Sequence, residues 1–438
     1  MVSRVNNERI CLTGPDSAAG KLMRLYWQPV ALAEELAGPR PVKALRAMGQ
    51  DLVLFRDEAG RLGLLDRACP HRGADLAFAR REHGGLRCAF HGWLFDATGA
   101  CLETPAEPKG SLFHRRIRQA SYPVRDINGL IFAYLGAGTP PALPDFDCFI
   151  APDSHSFAFM GFMECNWLQA LEVGIDPAHA SFLHRFEEDE STETGYGRQF
   201  RAVSIDSNIP MTTLLREFPR PTIEVEPTSF GIRLLTRRDL NSRQTHLRVT
   251  NLVFPNAFVI PMSGEMTITQ WHVPVEDGSN YWFALFTSFR RPVDKDEMRR
   301  QRLELYQLPD YKPRLNRSNN WGYDPEEQRT KTFTGMGFNI NVHDQWACES
   351  LGPIADRTRE HLASSDKAII AYRRLLRHSI QQVEAGQRPI MVLDAAAATA
   401  MTGPATMDAI APAQDWRAYW PEVDRKRRQE APWSEIAA

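Results

Sequence analysis

Cys69-Pro70-His71-Arg72-Gly73 and Cys88-Ala89-Phe90-His91-Gly92-Trp93 are two short hooks, each offering one thiolate and one imidazole, with sixteen residues between His71 and Cys88. Two soft thiolates and two imidazoles suit either one zinc ion or a two-iron cluster. The order of the ligands separates these readings. Each hook supplies one Cys and one His, so two turn-borne loops can clasp a cluster between them, thiolates on one iron and imidazoles on the other. A Cys2His2 zinc finger instead takes both Cys from one hook and both His from a helix. Gly73 and Gly92 permit tight turns beside the ligands, and Trp93 is placed to shield the cluster.

The hooks sit among short runs of β-branched and apolar residues, PVKALRAM, DLVLFRDEAGRLGLLD, GLRCAFHGWLFDATGACLE and NGLIFAYLG, broken by Gly- and Asp-containing turns. This spacing predicts a small all-β domain over about residues 38–138. The proline-rich AGTPPALPDFD (137–147) reads as a linker, which divides the chain into residues 1–147 and 148–438. Beyond it the pattern predicts a helix over 164–186, strands from Phe200 to about Phe289, and charged helices over 293–308 and 365–386. The Ala-rich stretch 394–412 reads as a surface segment or an interface arm. The fold class is therefore α+β, an all-β N-terminal domain followed by an antiparallel sheet with helices.

Composition narrows the function. The 438 residues carry 52 Lys+Arg and 54 Asp+Glu, a formal net charge of −2 with no long basic run, which argues against nucleic acid as a partner. No stretch reaches the ~20 apolar residues of a membrane span. The N-terminal MVSRVNNERICLTG lacks the apolar core of a secretory signal, so a cytoplasmic location is expected. Seven cysteines (11, 69, 88, 101, 148, 165, 348) are an odd number spread over a long chain, which is not a disulfide framework.

A second constellation lies in NWLQALEVGIDPAHASFLH (166–184), with Glu172, Asp176, His179 and His184. Two imidazoles and one carboxylate make the facial triad of non-haem Fe(II) oxygenases, with positions left open for substrate-gated O2 chemistry. His179 and His184 are five apart, about 140° on an ideal helix, so both reach one metal only if the helix ends or bulges between them. Pro177 makes such an irregularity natural. Further carboxylates stand downstream, where NVHDQWACESLGPIADR (341–357) offers Asp344, Glu349 and Asp356. Of these, Asp356, flanked by Arg357 and Arg359, reads as an ion-pair partner, and His343 adjoins Asp344.

CPHRG…CAFHGW resembles the Rieske motif of the Rieske non-haem iron aromatic-ring oxygenases. LTGPDSAAGKLMRLYWQPVAL (12–32) and ESLGPIADRTREHLASSDKAII (349–370) resemble the phthalate-dioxygenase type. The resemblance implies a Rieske [2Fe–2S] domain and a catalytic domain of helix-grip, START-like form. It places Cys69 and Cys88 on one iron, His71 and His91 on the other, and His179, His184 and Asp344 on a mononuclear Fe(II), with Glu349 as the fallback. Asp176 would bridge His179 to a Rieske histidine of a neighbouring subunit in a homotrimer or hexamer. The resemblance further implies O2 as co-substrate and electrons from NAD(P)H through a separate flavin/[2Fe–2S] reductase.

The implied substrate is aromatic, in the phthalate type commonly a carboxylate, which wants an Arg fork in an apolar pocket. Arg198, Arg201, Arg233, Arg237 and Arg238 fall in the region expected to line it, and Arg233, amid apolar neighbours in FGIRLL, is the one read as pointing inward. Asn256 and Phe258 lie on an expected pocket strand, while Phe254 and Trp271 read equally as core. Cis-dihydroxylation is the leading reaction, with O-demethylation or monooxygenation as the alternative. Two other classes, a Rieske electron carrier and a zinc-bound interaction module, fit poorly. A carrier needs only about 110 residues and no downstream triad.

Overall fold

The computed structural model describes residues 2–187, 209–263 and 265–434. In the N-terminal part the alternation of apolar and polar residues produces two four-stranded antiparallel sheets. One is built from Val42–Ala47, Gln50–Arg56, Leu62–Asp66 and Ser121–Tyr122. The other is built from Arg80–Glu82, Gly85–Arg87, Leu94–Asp96 and Cys101–Glu103. Val53, Phe55, Leu65, Leu86 and Phe95 pack together with Cys69 and Cys88, so the thiols are held on a rigid apolar base.

A third sheet joins the two halves of the chain. Its central strand, Leu130–Tyr134, lies between Trp27–Leu32 and Val124–Ile127 and is buried throughout. Strand alternation sends Ile131 and Ala133 into one core, and Leu130, Phe132 and Tyr134 into a second one shared with the C-terminal sheet. The first of these cores also collects Ile10, Leu22, Leu54 and Leu64 from the N-terminal part with Trp167, Leu171 and Tyr372 from the C-terminal part. The opening helix Arg4–Cys11 packs on the C-terminal part: Asn7 donates to the Ala355 carbonyl, and Trp167 Nε1 donates to the Cys11 carbonyl.

Among the described residues the C-terminal sheet has eight strands: β1 (Ser156–Met163), β2 (Thr222–Thr228), β3 (Gly231–Asp239), β4 (Gln244–Val253), β5 (Ala257–Ser263), β6 (Met266–Glu276), β7 (Ser279–Ser288) and β8 (Met407–Pro412). Their order is β1-β7-β6-β5-β4-β3-β2, all neighbours antiparallel, with β8 added to the first half of β4 where β5 does not reach it. Helices α1 (Trp167–Gly174), α2 (Ala180–Leu183), α3 (Ile340–Glu349) and α4 (Lys367–Glu384) lie against one face. No helix among the described residues is long and apolar enough to cross a membrane.

Three expectations change. The single helix over 164–186 is two: α1 begins at its Asn166 cap, whose side chain accepts from Leu168 N, and ends at Gly174, while α2 is one turn beyond Pro177. Helix α1 is pressed so closely to the sheet that a Cβ at Gly174 would lie 2.1 Å from the Phe258 ring, so any side chain there would have to displace that ring. The strand run expected from Phe200, itself outside the described residues, is seen from Thr222 onward, and Met211–Glu217 before it is helical. The Ala-rich stretch is a surface segment only in its first half, where residues 394–400 are exposed apart from Ala398. Ala395–Thr399 is helical, and β8 is buried between β4 and the C-terminal helix, with Ala409 and Ala411 fully covered beneath Trp416 and Trp420. Alanine is used there because two indoles leave no room for more.

Candidate metal centres and substrate cavity

The two cysteine–histidine hooks are near copies of one turn. Cys69 N donates to Ala74 O and Gly73 N to Cys69 O; Cys88 N donates to Trp93 O and Gly92 N to Cys88 O. Gly73 and Gly92 sit at φ +76° and +74°, the left-handed region that glycine enters without a steric cost. Both thiols are buried and both imidazoles are half-buried at the outer edge. Burial pushes the Cys69 thiol up to about 11, and the adjacent Cys88 thiol adds to this, while the backbone N–H groups of His71 and Arg72 aimed at the sulfur oppose it. The His71 and His91 rings lie 4.5 Å apart, and Trp93 stacks on His71 at 4.3 Å and 8°. His91 Nδ1 is buried with no hydrogen-bond partner among the described residues. Paired buried thiols beside paired imidazoles, one with an unused lone pair, fit a mixed-ligand [2Fe–2S] cluster.

The second centre is assembled from α2 and α3. His179 and His184 flank the single turn of α2, and His184 leaves the helix at φ −104°, ψ 22°, which turns its ring back toward His179. Asp344 comes from the middle of α3. The ring nitrogens His179 Nε2 and His184 Nε2 are 3.2 Å apart, and Asp344 Oδ1 is 3.2 Å from His184 Nε2 and 3.7 Å from His179 Nε2. For metal bonds of about 2.1 Å at right angles, neighbouring ligand atoms stand roughly 3 Å apart, close to this triangle. Asp344 Oδ1 is buried and has no hydrogen-bond partner among the described residues despite its nearness to His184. Burial alone would raise the Asp344 carboxyl, but His184, His179 and His343 around it hold it below the usual carboxylate range. The donor set is two neutral imidazoles and one carboxylate on one side of an open cavity, and it fits mononuclear iron.

His343 has a defined place that sequence spacing did not disclose. Its Nε2 donates to the Gly337 carbonyl at 2.8 Å, which leaves Nδ1 as an acceptor facing His184 Nδ1 at 3.4 Å. His184 is thereby held with its proton on Nδ1 and its Nε2 lone pair turned to the metal position. Glu349 is not near that position. It is buried and accepts hydrogen bonds from Trp321 Nε1 at 2.8 Å and Glu164 N at 3.0 Å, so it ties α3 to its surroundings. Asp356 accepts from Thr358 N and Oγ1, and no salt bridge to Arg357 or Arg359 forms. Arg357 turns inward instead, joining Arg373 on the buried Glu172. Asp176 accepts from Ala178 N at 2.9 Å, and its other oxygen lies 3.8 Å from His179 Nδ1, too far for the expected hydrogen bond.

A cavity of ≈ 200 Å³ opens beside the triad, between α1–α3 and the inner face of the sheet. Val173, Phe258, Ile260, Ile268 and Trp282 give it apolar walls, and Arg238, Arg248, Gln270 and Asn341 add polar ones. Phe258 is where it was expected. Arg233 and Asn256 are not. Arg233 lies on the opposite face of β3, 4.9 Å over Trp420 and within ion-pair reach of Glu226. Both faces of β3 are covered, so apolar neighbours in sequence do not tell which way a residue points. Arg237 shares that outer face over Trp416, while Arg238, one residue on, faces inward. Asn256 is locked in a reciprocal amide pair with Gln28 and donates to the His272 carbonyl, which fastens Trp27–Leu32 to the sheet. Phe254 and Trp271 are core. Arg198 and Arg201 lie outside the described residues.

Comparison with known proteins agrees with this arrangement. Residues 26–123 match the Rieske [2Fe-2S] domain, and residues 149–434 match the family described as LigXa C-terminal domain like. The chain is 33% identical over 405 residues to the phthalate 4,5-dioxygenase oxygenase subunit of Pseudomonas putida, covering 89% of each. It is 30% identical over 405 residues to the 5,5'-dehydrodivanillate O-demethylase oxygenase subunit of Sphingobium sp., covering 90% of this chain and 84% of that one. Among solved structures, dicamba monooxygenase bound to dicamba superimposes with a TM-score of 0.56 at 19% identity, over 83% of this chain and 99% of that one, a likeness of fold. With both centres, the sheet between them and these relatives in agreement, the chain belongs to the Rieske non-haem iron oxygenases, as an oxygenase subunit of the phthalate dioxygenase type.

Proposed function

We propose that this chain is the terminal oxygenase of a multicomponent system that hydroxylates an aromatic carboxylate, fed with electrons from NAD(P)H by a separate flavin/[2Fe–2S] reductase. Cys69, Cys88, His71 and His91 would hold the cluster, and His179, His184 and Asp344 the mononuclear iron. When bound, the two groups supply electron storage and O2 activation. The protein's part is to hold the ring of the substrate against the apolar walls, exclude water and fix its acid group.

Arg238 carries the carboxylate reading. It is 3% exposed, borders the cavity, and donates to neutral oxygens only, Phe218 O at 3.0 Å and Ser181 Oγ at 3.0 Å. Burial lowers it to about 10, so it is still charged at neutral pH. It forms no ion pair among the described residues, whereas Arg248, also at the cavity, is neutralised by Asp408. A buried guanidinium without a counter-ion wants an anion, and an ionised aromatic acid brings one.

Cis-dihydroxylation is the leading chemistry. O-demethylation is kept as the alternative because one of the relatives is by name an O-demethylase. The test is reductase-dependent O2 uptake over a panel of benzoates and methoxybenzoates, with product mass separating gain of two oxygens from loss of a methyl carbon. Arg238→Leu should raise KM for the acid roughly 10–100-fold, the worth of a charge-assisted hydrogen bond. An unchanged KM would defeat the carboxylate assignment.

Assembly belongs to the same reading. His179 borders an exposed apolar groove with Phe182, Tyr323 and Phe333, and His91 adjoins exposed Phe90. An exposed apolar groove beside His179 and an exposed phenylalanine beside His91 suit head-to-tail packing that closes into a trimer, or a hexamer of two such rings. Asp176 would then complete its bridge to a neighbouring subunit's cluster histidine.

A further inference from the structure

A directional chain of hydrogen bonds ends at the cavity wall. It starts at the Cys165 carbonyl, which accepts from Asn280 Nδ2 at 2.8 Å. That bond assigns the Asn280 amide, so its Oδ1 is the atom 3.1 Å from His272 Nδ1, and His272 must be the donor there. His272 is 2% exposed, and burial pushes its imidazole down to about 4, so the ring is neutral and Nε2 carries a lone pair. Gln270 Nε2 lies 3.1 Å from that lone pair and donates to it. The orientation of the Gln270 amide is therefore set three groups away. With its nitrogen held by His272, its Oε1 is left over. Gln270 is half-buried, borders the cavity, and no donor among the described residues reaches Oε1.

We propose that Gln270 is a specificity-determining residue: its side-chain oxygen, locked as an acceptor by the relay Asn280–His272, recognises a hydroxyl on the aromatic substrate. This rests on the reading of the cavity as the substrate pocket and deepens it. The Arg238 end of the cavity selects an anion, and the Gln270 end, three strands away on β6, selects a hydrogen-bond donor. A freely rotating glutamine would offer N–H or C=O alike and select neither. A relay that already occupies the amide nitrogen removes that freedom, so a methyl ether at the same ring position forfeits the bond and leaves Oε1 buried without a partner.

The test is a ratio of dissociation constants on the full-length oxygenase, measured by titration calorimetry without turnover. The probes are the three hydroxybenzoates against the matching methoxybenzoates, and phenol against anisole. In the wild type at least one hydroxyl probe should bind about tenfold tighter than its methyl ether. Gln270→Leu and the near-isosteric Gln270→Met should bring that ratio close to one, each pair of ligands being compared on the same variant. Asn280→Leu, which never meets the ligand, should also lower it, a change that general loosening of the fold would not produce because both ligands of a pair are measured on the same variant. A ratio unchanged in both Gln270 variants overturns the inference. If benzoates bind, lose affinity in Arg238→Leu and yet show no Gln270-dependent preference, the inference falls and the aromatic-acid reading stands. If only phenol binds, with a Gln270-dependent preference, the aromatic-acid reading falls and the inference stands. If no probe binds, both fall.

Discussion

Replacing His343 by Phe tests whether the iron site depends on a residue that is not itself a ligand. The ring of His343 lies behind His184, 5.6 Å away at 23°, and is completely buried. Phe preserves the volume and the stacking but removes two hydrogen bonds, the acceptor for His184 Nδ1–H and the donor to Gly337 O. Without the acceptor His184 can turn or change tautomer, and the Nε2–H form presents a proton to the metal position. Loss of such an outer partner typically costs 10–100-fold in metal affinity, about 1.4–2.7 kcal/mol. The 3.4 Å separation is long for a hydrogen bond, so the lower end, about tenfold, is expected. The unpaired Gly337 carbonyl adds about 1–3 kcal/mol of lost stability, which is a separate effect on unfolding. Ferrous iron affinity would be measured by competition with a chromophoric chelator, with the visible absorbance of the cluster reporting an intact N-terminal domain. His343→Gln, whose side-chain oxygen can still accept, should stay within about threefold of the parent. Equal iron affinity in His343→Phe and the parent would refute the argument, as would Gln and Phe variants that are equally weak.

Two further substitutions separate ligand from scaffold. Asp344→Ala should lose the mononuclear iron with the cluster spectrum intact, whereas Glu349→Ala should keep the iron and lower the melting temperature, since Glu349 is held by Trp321, Gln345 and Glu164 N; iron content of the two purified variants decides this, and the opposite pattern would make Glu349 the ligand. Glu172→Ala should destabilise by about 3 kcal/mol in chemical denaturation, the low end for a broken buried pair, because Arg373 keeps Glu360 while buried Arg357 is left with Glu360 only at 4.0 Å. Burial would raise Glu172, but the two arginines dominate and depress it. Its contribution is thus fully present above the ordinary glutamate value of 4.5 and is lost as pH falls through the depressed native value, so parent and variant should converge in stability in acid.

The cluster hooks were legible because their chemistry is local. Cys, His and Gly within five residues define a turn and its ligands together, and the structure repeats that turn twice with nearly the same φ at Gly73 and Gly92. His179 and His184 were legible as a local pair on condition that the helix was irregular there, and the structure meets it with a single turn, α2, flanked by the two histidines. Asp344 was reachable only through resemblance. Nothing in its neighbourhood distinguishes it from Glu349 until α3 is laid against α2 and one carboxylate faces the imidazoles while the other faces Trp321. The inward arginine was not legible. On β3 both faces are apolar, so Arg233 and Arg238 differ in sequence only by parity, and which parity faces the cavity is fixed by the helices on one side and Trp416 and Trp420 on the other. His343 and the Asn280–His272–Gln270 relay belong with it, since a donor becomes an acceptor's partner only when strands distant in sequence are set side by side. Sequence alone determined the cluster hooks and the histidine pair, because ligand chemistry travels with residue type and short spacing, while the third ligand waited on the fold. Tertiary structure decided what the cavity recognises, because the facing of a side chain in a doubly covered sheet is a property of everything packed around it.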